Sequence, residues 1–534
     1  MINNILIAPV LIPLLGGALL VALRPPERVK HWITGISVTF VLISIMLIGR
    51  FVHAVGGIAT LQFGNWLPPF GIVFAVDWLS VFMLSFLNLI GFCVVIYSFF
   101  KSVRGSNESP YFYALILFQI AGVNGALTTG DIFNLFVWYE VMLIVSYGLL
   151  AQGGYRRKIK GVPDYIVINI FSGLLFLLAV AITYASFGTL NMAHIGQLVK
   201  MGEAPPWSTT LAMIYFVVFG TKAAVFPLYF WLFRGYPLAS APVAALFGGL
   251  LTKVGVYSML RVFPLMFPEQ FLAGEVSFTR MVFYLVGSAS IIFGVAGALS
   301  RHEWKDILSH HITSQIGYMI IGIGVWTTGA VAGTLYYIVQ HTVVKSSLFL
   351  IGGMTEDHMG TTDLGDQSGL IEQLPYVATL FLIAGLALAG LPPLSGFFAK
   401  MTIFYSAFVV GGQWAYAVIA AGLVGGLFTL YSMVKIWRLS FLGEPSEDTA
   451  TGAPGIRKGL FVGPSILVIT SICLGLFGGT VYGWTSKAAE QVLNPQPYIE
   501  KVMSDSPVYG QKPGEYEPET HTTEKKRKSG NGHH

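Results

Sequence analysis

Apolar runs of about 20 residues follow one another along most of the chain, separated by short polar loops. A run of that length crosses the hydrocarbon core of a bilayer as one helix, because a helix rises about 1.5 Å per residue. The pattern predicts about fourteen spanning helices, centred near residues 14, 41, 86, 119, 141, 175, 218, 252, 286, 319, 342, 390, 423 and 472. Strand-length alternation with dense turns is absent, which argues against a membrane barrel. The expected fold class is an all-α polytopic membrane protein. Its first apolar run begins near Ile5 with no basic stretch before it, so it reads as a spanning helix rather than a cleaved signal peptide.

Two of the runs are interrupted. The first reads Phe219-Gly-Thr-Lys222-Ala-Ala-Val-Phe-Pro227, with a lysine ahead of the proline. The second reads Gly390-Leu-Pro-Pro393-Leu-Ser-Gly-Phe-Phe-Ala-Lys400, with the lysine behind two prolines. Proline removes a backbone donor and clashes with the preceding turn, so spans 7 and 12 should be discontinuous. Their spacing suggests two inverted five-helix repeats, a pattern that marks binding and transport paths in transporters. The expected organisation is helices 1–3 over residues 1–105, transport units over 106–268 and 269–440, a last helix region over 441–485, and a polar flexible tail over 486–534.

Basic residues sharpen the topology. Arg24, Arg28, Lys30, Lys101, Arg104, Arg156, Arg157, Lys158, Lys160, Arg234, Arg301, Lys305, Lys435, Arg438, Arg457 and Lys458 fall in or beside alternate loops. Arg50, Lys200, Arg261 and Arg280 are the main exceptions. The positive-inside rule then makes the odd-to-even loops cytoplasmic and turns both termini outward. Composition agrees with membrane embedding: of 534 residues 54% are hydrophobic and 11% charged, against roughly a quarter charged in a soluble protein. The formal charge of +5 sits in short loops and implies no nucleic acid partner. Cys93 and Cys473 form no metal or disulfide pattern.

Against this apolar background, membrane-embedded charges are candidates for function. Glu140 lies midway along span 5, and Lys222, Lys253, Lys345 and Lys400 lie at comparable depth in other runs. Lys222 is the preferred partner of Glu140, since an adjacent ammonium would keep a buried carboxylate ionised. His341 and Lys345 are four residues apart and share a helix face, and a histidine there suits proton relay. His310 and His311, with Thr313, Ser314 and Gln315, are candidates for an access path near the cytoplasmic start of span 10. Asp131 either caps span 5 or belongs to an access path. No phosphate loop, haem motif or iron–sulfur spacing is present, so no cofactor is expected, and a metal site cannot be placed.

The segments Gly130–Ile144, Thr221-Lys222 with Pro227, Gln315-Ile-Gly-Tyr-Met319 and Leu391–Lys400 resemble the antiporter-like subunit family, which includes membrane pump subunits of respiratory complex I and related hydrogenases. Within it, His302–Tyr318 most resembles the D-type subunits of multisubunit sodium/proton antiporters, and the resemblance extends over residues 1–485. It implies a fourteen-helix fold with two inverted five-helix units. It also implies a Glu140–Lys222 charge pair and a proton route continuing through Lys253, His341, Lys345 and Lys400. The implied function is proton translocation in a bacterial or archaeal membrane complex that exchanges sodium or another monovalent cation, without catalytic chemistry in this chain. The implied partners are the other antiporter subunits and membrane lipids. The alternative is a proton-pumping subunit of a quinone reductase or hydrogenase. One departure is that Phe233–Val243 lacks a histidine that complex I relatives often carry there.

Overall fold

The computed structural model describes residues 2–101, 109–152, 156–271, 276–444 and 456–511. Among them, nine helices are long and apolar enough to cross a membrane, and four shorter apolar helices accompany them. The four are Phe112–Thr128, Ser208–Ala223, Pro375–Ala389 and Ser395–Val410. Each expected centre falls within a helix, apart from that near 390, which falls between Pro375–Ala389 and Ser395–Val410. Outward faces carry apolar side chains such as Trp32, Phe40, Met46, Phe171, Leu174 and Leu427. That is the surface a lipid phase requires.

Two long helices are more polar than a lipid-facing span, and packing explains why. Trp304–Val325 carries His310, His311, Thr313, Ser314 and Gln315, and all five are buried. Thr328–Met359 is buried continuously from Ala330 to Thr355. At 32 residues it is about 48 Å long, and it packs on Trp78–Phe100, Trp304–Val325, Ser395–Val410, Val462–Leu476 and Gly478–Leu493. A helix surrounded by other helices is released from the demand for an apolar surface.

The fold is not wholly helical. Strand β1 (Ile58–Gln62) pairs antiparallel with β2 (Val73–Asp77). Asp77 ends β2 and caps Trp78–Phe100, its Oδ1 accepting from Ser80 N–H at 3.0 Å. Both its oxygens also accept from Arg261, at 2.6 and 2.7 Å, in a fully buried fork.

That fork gives one of the exceptions to the charge rule a partner, and residues distant in sequence give partners to two others. Arg280 donates from Nε to Gly324 O at 3.1 Å, at the carbonyl end of Trp304–Val325, where a cation also suits the helix dipole. Lys200 Nζ donates to Gln496 Oε1 at 2.6 Å. Each of these residues has a partner within the fold.

The expectation of a flexible tail from residue 486 is corrected over residues 486–511. The chain there forms the end of helix Gly478–Leu493 and then helix Gln496–Met503, with Tyr498, Ile499, Val502 and Met503 buried. The Tyr498 ring lies 4.9 Å from the Arg261 guanidinium, so this segment closes over the Asp77–Arg261 fork. Residues 512–534 of the expected tail lie outside the described residues, as do the side chains of Arg156, Arg157, Lys158 and Lys160 and all of Arg104.

Breaking the fork from one side leaves an unpaired buried charge, which costs about 3–5 kcal/mol. Arg261→Leu should therefore lower the thermal unfolding temperature of the purified protein sharply. The double variant Asp77→Asn/Arg261→Leu should recover part of that loss, and a double variant no better than the single one would contradict the assignment.

Candidate functional site

The first break follows Ser208–Ala223 and precedes Phe230–Gly235. Ala224 takes a left-handed conformation (φ 62°) and ends the first half-helix just after Lys222. The groups freed by the break find partners: Trp231 Nε1 donates to Thr221 O at 2.9 Å, and Phe226 N–H donates to Ser290 Oγ at 2.8 Å. Lys222, buried beside them, donates to Asn169 Oδ1 at 3.3 Å and lies 6.0 Å from the Tyr139 ring.

Glu140 does not touch Lys222. Among the described residues its Oε1 is buried without a hydrogen-bond partner, and no ion pair within 4.0 Å joins the two side chains. Their charges still act on each other. Helix Arg156–Phe187 brings them close, because Asn169 and Gly173 are one turn apart on one face. Asn169 receives Lys222, and Gly173 receives the carboxylate: a Cβ on Gly173 would lie 2.4 Å from Glu140 Oε1.

Lys253 follows a π-turn at Phe247–Leu251. That turn frees the carbonyl of Gly248, and Lys253 Nζ donates to it and, at 3.1 Å, to Thr252 Oγ1. Helices Ser208–Ala223 and Thr252–Met266 meet backbone to backbone at Gly255, where a Cβ would lie 2.6 Å from Phe219 O. Lys222 and Lys253 thus belong to tightly packed neighbours, each ammonium held by partners of its own.

The second half gathers the remaining predicted residues. Lys345 Nζ donates to Leu308 O at 3.2 Å. Lys400 Nζ donates to Leu388 O at 3.2 Å and Ala389 O at 3.0 Å, the last carbonyls before the second break. It lies 4.7 Å from the Tyr318 ring and 5.9 Å from that of Tyr337. His341 is fully buried, and among the described residues neither ring nitrogen has a hydrogen-bond partner. It is near enough to Lys253, Lys345, His311 and Lys400 for their charges to act on it. His311 Nε2 is 2.9 Å from Ser432 Oγ. Gln315 accepts from Tyr337 Oη and donates to Thr429 Oγ1 at 3.2 Å and Ser314 Oγ at 2.9 Å. The hydroxyl of Thr313 is buried without a partner among the described residues.

Residues 129–429 match the family described as NADH:quinone oxidoreductase/Mrp antiporter, TM. The D subunit of the Na(+)/H(+) antiporter of Alkalihalophilus pseudofirmus is 40% identical over 508 residues, covering 94% of this chain and 100% of that protein. The corresponding D subunit of Bacillus subtilis is 35% identical over 506 residues, with 94% and 100% covered. The chain belongs to the D-subunit family of multisubunit Na+/H+ antiporters. A chain in the structure of the Mrp complex from Dietzia sp. DQ12-45-1b superposes with a TM-score of 0.86 at 29% identity, covering 94% of this chain and 100% of that one. Membership makes the protein a non-catalytic membrane subunit that assembles with other antiporter subunits. It is homologous to complex I membrane pump subunits. The aligned length runs past residue 485, the limit expected from the sequence.

Sequence reasoning missed Asn169, Tyr139, Tyr318 and Tyr337, which surround the lysines, and Ser432 and Thr429, which meet His311 and Gln315. Tyr337 was within reach of it, being four residues before His341 on the same helix face. Asp131 takes the capping role, with Oδ1 accepting from Asn134 N–H at 2.8 Å at the start of Ile132–Ala151.

Gly173→Ala should force the Glu140 carboxylate from its slot and lower sodium-dependent proton exchange by the assembled antiporter several-fold, and unchanged exchange would show that the slot is dispensable. Burial pushes the Asp131 carboxyl up to about 6, against the pull of the Asn134 and Phe133 backbone N–H groups. A carboxyl raised on folding contributes stability at low pH, and that contribution is lost as pH rises through about 6. Asp131→Asn keeps the cap without the charge, so its thermal stability should match the parent near pH 4 and exceed it at pH 8, a range of about four units that scanning calorimetry covers.

Proposed function

We propose that this protein carries protons through the antiporter complex along the buried line of Glu140, Lys222, Lys253, Lys345, His341 and Lys400. The observation that carries the reading is His341, a fully buried imidazole with neither nitrogen hydrogen-bonded among the described residues, placed near Lys253, Lys345, Lys400 and His311. An imidazole with two free nitrogens can accept a proton at one and release it at the other. His310, His311, Thr313, Ser314 and Gln315 belong to the access paths in this reading, and Asp131 joins them while also capping Ile132–Ala151. The line is divided between two five-helix units, residues 106–268 and 269–440, inverted relative to each other within about fourteen spans. The odd-to-even loops face the cytoplasm and both termini face outward, as the basic residues indicate.

Glu140 acts on Lys222 through space and through Asn169. A proton gained or lost at Glu140 changes the field at Lys222 by one elementary charge, and in a low dielectric that change is felt across several ångströms. This couples the first half to the carboxylate without requiring a direct ion pair. The relatives named as Na(+)/H(+) antiporter subunits support sodium, or another monovalent cation, as the exchanged ion. Hard cations need several oxygen ligands, and membrane carboxylates are scarce in this chain, so cation passage is assigned to another subunit or an interface.

Inside-out membrane vesicles containing the complete complex provide the test. Glu140→Gln and Lys222→Ala should each lower sodium-dependent proton exchange at least about tenfold, a barrier change of about 1.4 kcal/mol, with subunit content unchanged on native gels. Near-normal exchange by both assembled variants would overturn the coupling.

A further inference from the structure

A cavity of about 780 Å³ opens between the second half of the broken helix, the start of Arg156–Phe187, the end of Phe278–Leu299 and the start of Trp304–Val325. Its wall holds an aromatic set, Tyr229, Phe230 and Phe293, and a charged set, Asp164, Arg234 and Arg301. Depth separates the two. Phe230 precedes Arg234 by one turn on the same face, about 6 Å of rise. Phe293 precedes Arg301 by eight residues, about 12 Å. Both segments run toward loops that the charge pattern places on one side of the membrane. The arginines therefore stand at headgroup level, with the exposed rings beneath them at the level of the glycerol and the upper acyl chains.

The aromatic set is open yet fixed. Phe230 is 59% exposed and Phe293 52%, so both present flat apolar faces outward. Phe293 stacks on Phe226, with centroids 4.5 Å apart and planes 11° from parallel. Tyr229 lies 4.8 Å from both Phe230 and Phe233, and Phe233 stacks in turn on His310 at 3.8 Å. Rings locked in this way offer an acyl chain a ready surface at little entropic cost.

The charged set is loosely held and carries both signs. Arg234 Nε lies 3.9 Å from Asp164 Oδ2, and both side chains are more than half exposed. Such a pair contributes little by itself and opens readily to a ligand. Arg301 is exposed, while Lys435 Nζ, donating to its carbonyl oxygen at 2.6 Å, fixes its backbone. Glu303 and Asp306 also border the cavity, and each has a partner of its own.

We propose that this cavity binds one aminophospholipid of the phosphatidylethanolamine class, with its phosphate on Arg234 and Arg301, its ammonium on Asp164, and an acyl chain along Phe230 and Phe293. Guanidinium groups are matched to phosphate oxygens, and basic pockets between membrane helices take lipid headgroups. The neighbouring carboxylate selects among them. A phosphatidylglycerol would set its anion beside Asp164 with no cation to offer. A choline headgroup has no N–H to donate to the carboxylate. The bound lipid joins Arg156–Phe187 and Phe230–Gly235 to Phe278–Leu299, beside the break that follows Lys222. This site is independent of the direction in which protons move.

Photolabelling of the complete complex in phosphatidylcholine vesicles tests it. The probe is a trace of phosphatidylethanolamine with a diazirine in one acyl chain, and labelled peptides are mapped by mass spectrometry. Label should concentrate on the segments carrying Phe230 and Phe293, relative to the exposed face of Glu27–Ala54 at Phe40 and Met46, which reports ordinary lipid contact. Excess unlabelled phosphatidylethanolamine should remove that concentration, whereas equal excesses of phosphatidylglycerol or of free phosphoethanolamine should leave most of it. The double variant Arg234→Gln/Arg301→Gln should lower it at least about tenfold, since each arginine contributes a roughly fivefold attraction for an anionic group at the membrane surface. Asp164→Asn should abolish the preference over phosphatidylglycerol. Label no denser than on Glu27–Ala54, or label on a partner subunit in place of these segments, would overturn the site. Competition by phosphatidylglycerol as strong as by phosphatidylethanolamine would reject the ammonium contact, and equal competition by phosphoethanolamine would reject a lipid as the ligand. If the double variant fails to assemble, competition on the unaltered complex decides. Unchanged labelling of an assembled double variant rejects the arginines as the phosphate site.

Discussion

Buried ammonium groups need oxygen, and in this protein the backbone supplies most of it. Lys253 takes Gly248 O, Lys345 takes Leu308 O, and Lys400 takes Leu388 O and Ala389 O. An ammonium has three donors and no acceptor, and burying it unsatisfied costs several kcal/mol. In a regular helix each carbonyl in the middle already accepts from the residue four ahead, leaving only its second lone pair, which is what Leu308 O offers Lys345. The π-turn at Phe247–Leu251 and the break at Gly390 free carbonyls beside two of the lysines. The irregular backbone is thus what allows cations to be buried at these places.

The choice of partner has a functional consequence. A lysine paired with a carboxylate cannot lose its proton without stranding a negative charge, whereas one held by neutral dipoles can lose it and strand nothing. Carbonyl-bound lysines therefore suit a chain of sites that change charge in turn. Gln340 Oε1, Thr313 Oγ1, Thr342 Oγ1 and both His341 nitrogens, without partners among the described residues, lie in this same polar interior. Buried polar atoms of that kind ordinarily find water, and a line of them is the surrounding that proton movement between fixed groups requires.

Much of this was legible because membranes make charge conspicuous. Lys222, Lys253, Lys345 and Lys400 stand out against apolar neighbours, and the prolines at 227, 392 and 393 mark the breaks. What escaped was whatever looked ordinary. Asn169, Tyr318 and Tyr337 are common membrane-helix residues, and only the fold sets them against a lysine. Arg261 and Arg280 mislead the charge count because their partners, Asp77 and the Gly324 carbonyl, are distant in sequence. The segment after residue 485 reads as a tail on composition alone. Its apolar residues Tyr498, Ile499, Val502 and Met503 recur at helical spacing, a signal that its polar surroundings obscure.

The two breaks resemble each other in outline and differ in what faces the lysine. Lys222 has a side-chain amide, an aromatic ring and, beyond them, the Glu140 carboxylate lodged at Gly173. Lys400 has two carbonyls and two tyrosine rings. A carboxylate can change its charge, so the field at Lys222 can be switched from Glu140. Carbonyl dipoles and ring quadrupoles are fixed by the backbone and by the hydrogen bonds from Tyr318 Oη to Gly422 O and from Tyr337 Oη to Gln315 Oε1. The field they make at Lys400 is constant. Along the proposed route, a control input placed within this chain therefore acts at the Glu140 end, while Lys400 answers to the groups before it in the line, Lys345 and His341.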